Sequence, residues 1–221
     1  MKDIHKIVDD IAAICPVIPV LTFGTVKQGE AACHALYAGG IRVFEITLRT
    51  PVCLEVAKRV AQMAKDVTVG IGTITRPEQC EEAVDVGARF GTSPGLIRPL
   101  IDAANAAALP LMPGVMTPSD ILAALDAGFH TVKFFPTQIA GGMPMLEALY
   151  GPFPNVKFCP AGGVTAKNVP NFLSLPNVSC VGGSWLAPKL LLEEENWPEI
   201  MRLATLACQY GRHQSQGTSV T

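Results

Sequence analysis

Eight short runs rich in apolar and β-branched residues recur along the chain at regular intervals: PVIPVLTF, IRVFEITL, VTVGIGT, ARFGTS, LPLMPGV, HTVKFFP, VKFCPAG and VSCVGGS. Between them lie segments whose apolar residues fall at helical spacing, among them KQGEAACHALYAGG, PVCLEVAKRVAQMAK, RPEQCEEAVDVGA, RPLIDAANAAA and TPSDILAALDAG. Several open with Pro near the first turn and close on Gly, the usual punctuation of a helix. A strand followed by a helix, repeated eight times, requires parallel strands joined by crossovers. The pattern predicts an α/β fold, a closed (β/α)8 TIM barrel over about residues 16–190. It adds an N-terminal helix over about 3–14 and a C-terminal helix over about 198–210. A doubly wound open sheet is the second architecture the alternation allows. Residues 211–221, GRHQSQGTSVT, are polar and patternless and read as a disordered tail.

At 221 residues the chain suits one domain of this kind, and no linker divides it. Only 16% of residues are charged while 49% are hydrophobic, so both faces of the sheet can be covered. A net charge of -2, with no basic run interleaved with aromatics, argues against nucleic acid or an anionic membrane as partner. The first twenty residues carry acids inside their apolar pattern and lack a secretory h-region, and no segment is long enough to span a bilayer. Seven cysteines, Cys15, Cys33, Cys53, Cys80, Cys159, Cys180 and Cys208, form no CxxC pair, and His5, His34, His130 and His213 are scattered. The cysteines read as buried apolar residues in a reducing cytoplasm, and no metal site is expected.

In a barrel the chemistry belongs at the C-terminal ends of the strands. The polar residues there are few: Glu45, Arg49, Thr73, Ser93, Lys133, and two glycine pairs with Ser184. Lys133 lies between Val132 and Phe134, and alternation puts it on the opposite face from both. If those two meet the helices, Lys133 points into the barrel, where desolvation makes a free amine available for attack on a carbonyl. Glu45, between Phe44 and Ile46, is a second lone ionisable group in an apolar strand. The two can be a buried ion pair with no chemistry, or a nucleophile with its proton shuttle. The pairs Gly162–Gly163 and Gly182–Gly183 follow the last two strands, where barrels often hold a phosphate.

Taken together, AGGIRVFEITLRTP, VGIGTI, GTSPGL, PLMPGVMTPSD, VKFFP, FCPAGGV and GGSW resemble the class I 2-keto-3-deoxy-6-phosphogluconate (KDPG) and 4-hydroxy-2-oxoglutarate (KHG) aldolases, in register from about Pro16 to Trp185. The resemblance implies cleavage of 2-dehydro-3-deoxy-6-phosphogluconate to pyruvate and glyceraldehyde 3-phosphate through a Schiff base, with no cofactor. It also implies a homotrimer. Carried over residue by residue, Lys133 forms the Schiff base and Glu45 is the general acid and base. Arg49 and Thr73 hold the pyruvyl carboxylate, and Pro94 and Phe135 line the pocket. Gly162, Gly163, Gly183 and Ser184 hold the phosphate. Typical members read CPTGG where this chain reads CPAGG, so Ala161 replaces a threonine associated with choice at the C4 hydroxyl. The galactonate-derived epimer, and 4-hydroxy-2-oxoglutarate as a source of pyruvate and glyoxylate, are therefore alternative substrates. Two remoter readings are a phosphate-binding barrel isomerase or epimerase and a non-catalytic phosphosugar-binding barrel.

Overall fold

The computed structural model describes residues 4–210; the expected tail at 211–221 lies outside them. Helix α1 (Ile4–Ile14) precedes strand β1 (Val17–Leu21). Then follow α2 (Val26–Ala38), β2 (Val43–Thr47), α3 (Cys53–Ala61), β3 (Thr68–Gly72), α4 (Glu78–Asp85), β4 (Phe90–Thr92) and α5 (Arg98–Ala106). The second half contains β5 (Leu111–Met112), β6 (Gly114–Val115), α6 (Pro118–Asp126), β7 (Thr131–Phe134), α7 (Gly142–Tyr150) and β8 (Lys157–Pro160). It ends with α8 (Val169–Leu173), β9 (Val181–Gly183), a 3-10 turn at Ser184–Leu186, α9 (Lys189–Glu193) and α10 (Trp197–Gln209).

Every strand pairing is parallel, as the alternation requires. The described strands form a six-stranded sheet in the order β5-β4-β3-β2-β1-β9 and a three-stranded sheet, β6-β7-β8. This differs from eight continuous strands in one sheet, and the reason is local. Pro113 divides the run expected as a single strand, and a proline has no N–H to give to a ladder. Its carbonyl still accepts from Lys133 N at 2.8 Å. Between β8 and β9 the sheets touch through two isolated parallel bridges, Phe158 with Val178 and Ala161 with Gly182. Among the described residues no helix is long and apolar enough to cross a membrane.

The helices form for legible reasons. In α3 the buried residues Cys53, Val56, Ala57 and Val60 follow the i, i+3, i+4, i+7 spacing of one helical face. Helix α6 starts at a capping box, in which Thr117 accepts from Asp120 N and the Asp120 carboxylate accepts from Thr117 N, with Pro118 in the first turn. Helix α1 buries Val8, Ile11 and Ala12, and the Thr131 hydroxyl at the start of β7 donates to the Asp9 carboxylate. That contact places α1 at the N-terminal ends of the strands and leaves the opposite ends to the loops.

Between the strands the interior is filled asymmetrically. Gly70 and Gly72 of β3 both leave room for a neighbour: a Cβ on Gly70 would lie 2.2 Å from Phe90 Cζ, and one on Gly72 would lie 2.3 Å from Glu45 Oε1. An aromatic ring and a carboxylate therefore occupy the space that two side chains of β3 would take. The carboxylate lies at the layer nearer the C-terminal ends, where the polar residues gather.

Candidate active site

Lys133 is the third residue of β7, in register with Gly114 and Cys159. Its neighbours Val132 and Phe134 are fully buried on the other face, where Phe134 meets Phe158 edge to face at 6.2 Å. Alternation turns Lys133 inward, and only 5% of it is exposed. Glu45 sits in the middle of β2, is 3% exposed, and is in register with Gly70. Its side chain leans along the strand to the level of Gly72, and Oε1 accepts from Lys133 Nζ at 2.7 Å. An ammonium and a carboxylate in such surroundings interact far more strongly than a surface pair. A proton can cross that one hydrogen bond, giving a free amine beside a carboxylic acid.

Above the pair, Arg49, Thr73, Pro94, Lys133 and Phe135 line one narrow cleft. Lys133 Nζ stands 6.0 Å from the centre of the Phe135 ring. Arg49 Nε donates to Thr73 Oγ1 at 3.2 Å, which steers the guanidinium across the cleft. Thr73 itself adopts φ +64, a left-handed conformation unusual for a β-branched residue and often associated with functional sites. Arg49 also borders a larger cavity of about 510 Å³, which it shares with Thr22, Gln28, Thr50, Ser184 and Trp185.

The remaining residues singled out in the sequence are divided. Ala161 is 3% exposed, and its N–H donates to Phe134 O and Thr137 Oγ1. Gly162 and Gly163 both have positive φ, +89 and +88, which reverses the chain directly after β8. A Cβ on Gly162 would lie 3.3 Å from the Phe135 ring, so this turn abuts the cleft. Gly183 lies under Trp185, whose Nε1 would be 2.7 Å from a Cβ there. Ser93 turns away: its hydroxyl donates to Gly95 O at 2.7 Å.

Two residues of the cluster were not apparent in the sequence. Thr92, 1% exposed, bridges the ion pair, donating to Glu45 Oε1 at 2.9 Å and accepting from Lys133 Nζ at 3.3 Å. Gly72 provides the space for the carboxylate. Alternation along β4 was the available signal, since it puts Thr92 on the same face as the interior Phe90.

The sequence profile of KDPG and KHG aldolase matches residues 8–203. The chain is 43% identical over 198 residues to the 2-dehydro-3-deoxy-phosphogluconate aldolase of Pseudoalteromonas atlantica, covering 90% of this chain and 92% of that protein. It is 38% identical over 209 residues to the KHG/KDPG aldolase of Escherichia coli, covering 95% of this chain and 98% of that one. Its fold is similar, with a TM-score of 0.88 and 42% identity, to the KDPG aldolase of Legionella pneumophila, solved with pyruvate captured at low pH as a covalent carbinolamine intermediate. That match covers 90% of this chain and 97% of the other.

Proposed function

The chain belongs to the KDPG and KHG aldolase family, and on that premise we propose that it cleaves 2-dehydro-3-deoxy-6-phosphogluconate to pyruvate and glyceraldehyde 3-phosphate as a class I aldolase. The observation that carries the reading is the buried Lys133–Glu45 pair, 2.7 Å apart, at the base of the narrow cleft lined by Arg49, Thr73, Pro94 and Phe135.

Glu45 takes a proton from the Lys133 ammonium, and the free amine adds to the C2 carbonyl. The carbinolamine loses water, with Glu45 returning the proton that lets hydroxide depart, and an iminium results. Removing the C4 hydroxyl proton lets the C3–C4 bonding electrons move into the iminium. Carbon 4 then leaves as the aldehyde of glyceraldehyde 3-phosphate, and an enamine remains on Lys133. Protonation at C3 and hydrolysis release pyruvate and regenerate the amine. Arg49 offers a planar fork to the pyruvyl carboxylate with Thr73 beside it, while Pro94 and Phe135 wall the cleft. Gly162, Gly163, Gly183 and Ser184 receive the phosphate, a role supported by the positive-φ turn of the first pair and by Ser184 at the larger cavity.

The same reading makes the two sheets a single closed eight-stranded barrel in one domain, with β5 and β6 as one strand interrupted at Pro113. The bridges between β8 and β9 support that closure. A cytoplasmic homotrimer completes it, supported by exposed apolar side chains such as Leu122 and Ile139; sedimentation analysis tests the stoichiometry.

Incubation with pyruvate and borohydride followed by mass measurement tests the chemistry. An adduct on Lys133, lost in Lys133→Ala, is expected. Failure to trap under conditions that trap a control aldolase would leave the isomerase or the plain binding barrel. A second reading, turnover of the galactonate-derived epimer or of 4-hydroxy-2-oxoglutarate, is favoured by Ala161, which offers no hydroxyl at the turn after β8. The two C4 epimers should then differ in kcat/KM by less than about 100-fold, and a much larger ratio would exclude it.

A further inference from the structure

We propose that Thr92 is a positioning residue for the proton transfers of this site, holding Glu45 in place while Lys133 is covalently occupied. The inference rests on the aldolase reading above. Its basis is the direction of three hydrogen bonds. The Lys133 ammonium can only donate and the ionised Glu45 carboxylate can only accept. The single Thr92 hydroxyl proton is therefore directed to Glu45 Oε1 at 2.9 Å, and Thr92 Oγ1 accepts from Lys133 Nζ at 3.3 Å. With the 2.7 Å bond between Lys133 and Glu45, the three side chains form a closed triangle, and each of the three residues is at most 5% exposed.

The triangle cannot survive the reaction intact. An ammonium carries three protons and an iminium nitrogen carries one, so Lys133 cannot keep both of its bonds once the Schiff base forms. The Thr92–Glu45 bond is the only side of the triangle that does not involve Nζ. It persists through every covalent step, including those in which Glu45 must deliver or collect a proton at the substrate. Both donors fall on Oε1, and Glu45 Oε2 carries no hydrogen bond among the described residues. The second oxygen is thereby left for the substrate. Thr92 lies on a different strand from either partner, so β4 reports on a pair otherwise built by β2 and β7.

The experiment compares wild type, Thr92→Val and Thr92→Ser. Valine keeps the branched shape and removes the hydroxyl; serine keeps the hydroxyl. Three quantities are measured: borohydride trapping of pyruvate, exchange of the pyruvate methyl protons in D₂O by proton NMR, and steady-state pyruvate release. Exchange reads the step in which the Glu45 carboxylate removes a methyl proton from the iminium to give an enamine, which then takes up deuterium.

Thr92→Val should still trap pyruvate, while its exchange rate and kcat fall at least about tenfold, part of what a positioned acid–base group contributes. Its KM should stay within about threefold of wild type, and Thr92→Ser should stay within about threefold on every measure. An exchange rate in Thr92→Val equal to wild type, or equal losses in valine and serine variants, would overturn the proposal. If Thr92→Val does not fold, Thr92→Ala takes its place against serine with the same expected outcomes. Absence of trapping in the wild type would instead refute the aldolase reading itself.

Discussion

Gly72→Ala is the substitution that most directly probes how the carboxylate is placed. The added Cβ would lie 2.3 Å from Glu45 Oε1, 2.8 Å from its Cγ and 2.9 Å from its Cδ. Because Cγ is among the atoms struck, turning the terminal carboxylate does not relieve the clash. The whole side chain must change rotamer, and the bonds at 2.7 Å to Lys133 and 2.9 Å to Thr92 are lost together. Separating a buried pair costs about 3–5 kcal/mol, of which alanine in place of glycine returns about 0.5–1 through the unfolded state. A net loss of roughly 2–4 kcal/mol in urea denaturation is expected. Turnover should fall by about 100-fold or more, the scale of a misplaced general acid–base group, measured as pyruvate released. Gly70→Ala is the control. Its Cβ would meet Phe90 Cζ at 2.2 Å, an overpacking worth about 1–3 kcal/mol that does not touch the carboxylate. If Gly72→Ala turned over within about threefold of wild type, or if both variants lost turnover equally, the reasoning would fail.

Thr73→Gly should relieve about 1 kcal/mol or more of left-handed backbone strain and raise the melting temperature, while removing the hydroxyl that accepts from Arg49 and raising KM. A melting temperature below wild type would contradict this. At Asp120, burial opposes ionisation, yet the N–H groups of Met116 and Thr117 hold the carboxyl below its usual 3.8. A lowered folded-state value adds stability above the ordinary carboxylate range, and that stability is lost as pH falls through the lowered value. Asp120→Asn should therefore cost about 1 kcal/mol in thermal melts at neutral pH and approach wild type in acid; an equal deficit at every pH would refute the sign. Burial pushes the Cys33, Cys53 and Cys80 thiols up, and no disulfide joins the described cysteines. Iodoacetamide should label half-buried Cys208 well before these three in the folded protein, as peptide mass spectrometry can follow; early labelling of Cys33 would count against it.

Lys133 and Glu45 were legible in the sequence because each is a lone charge in an apolar strand, and alternation sets each on the face opposite its apolar neighbours. Arg49 and Thr73 were legible as polar residues at strand ends, Pro94 and Phe135 only through the family motifs, and the fold brings all four to one cleft with Lys133. Three things were harder to read. ARFGTS ends in two adjacent hydroxyls, and in a strand of three residues the one facing inward depends on register with β3 and β5, set elsewhere in the chain. Thr92 turns in and Ser93 bonds to Gly95. Gly72 resembles a weak point in a strand until the atom occupying its space, on another strand, is known. Pro113 looks harmless in an apolar run until the ladder requires its missing N–H. A buried charge announces itself locally because desolvation penalises it wherever it sits. A glycine or a hydroxyl acquires its role only from what tertiary structure sets against it, so the groups that position Glu45 were harder to see than Glu45 itself.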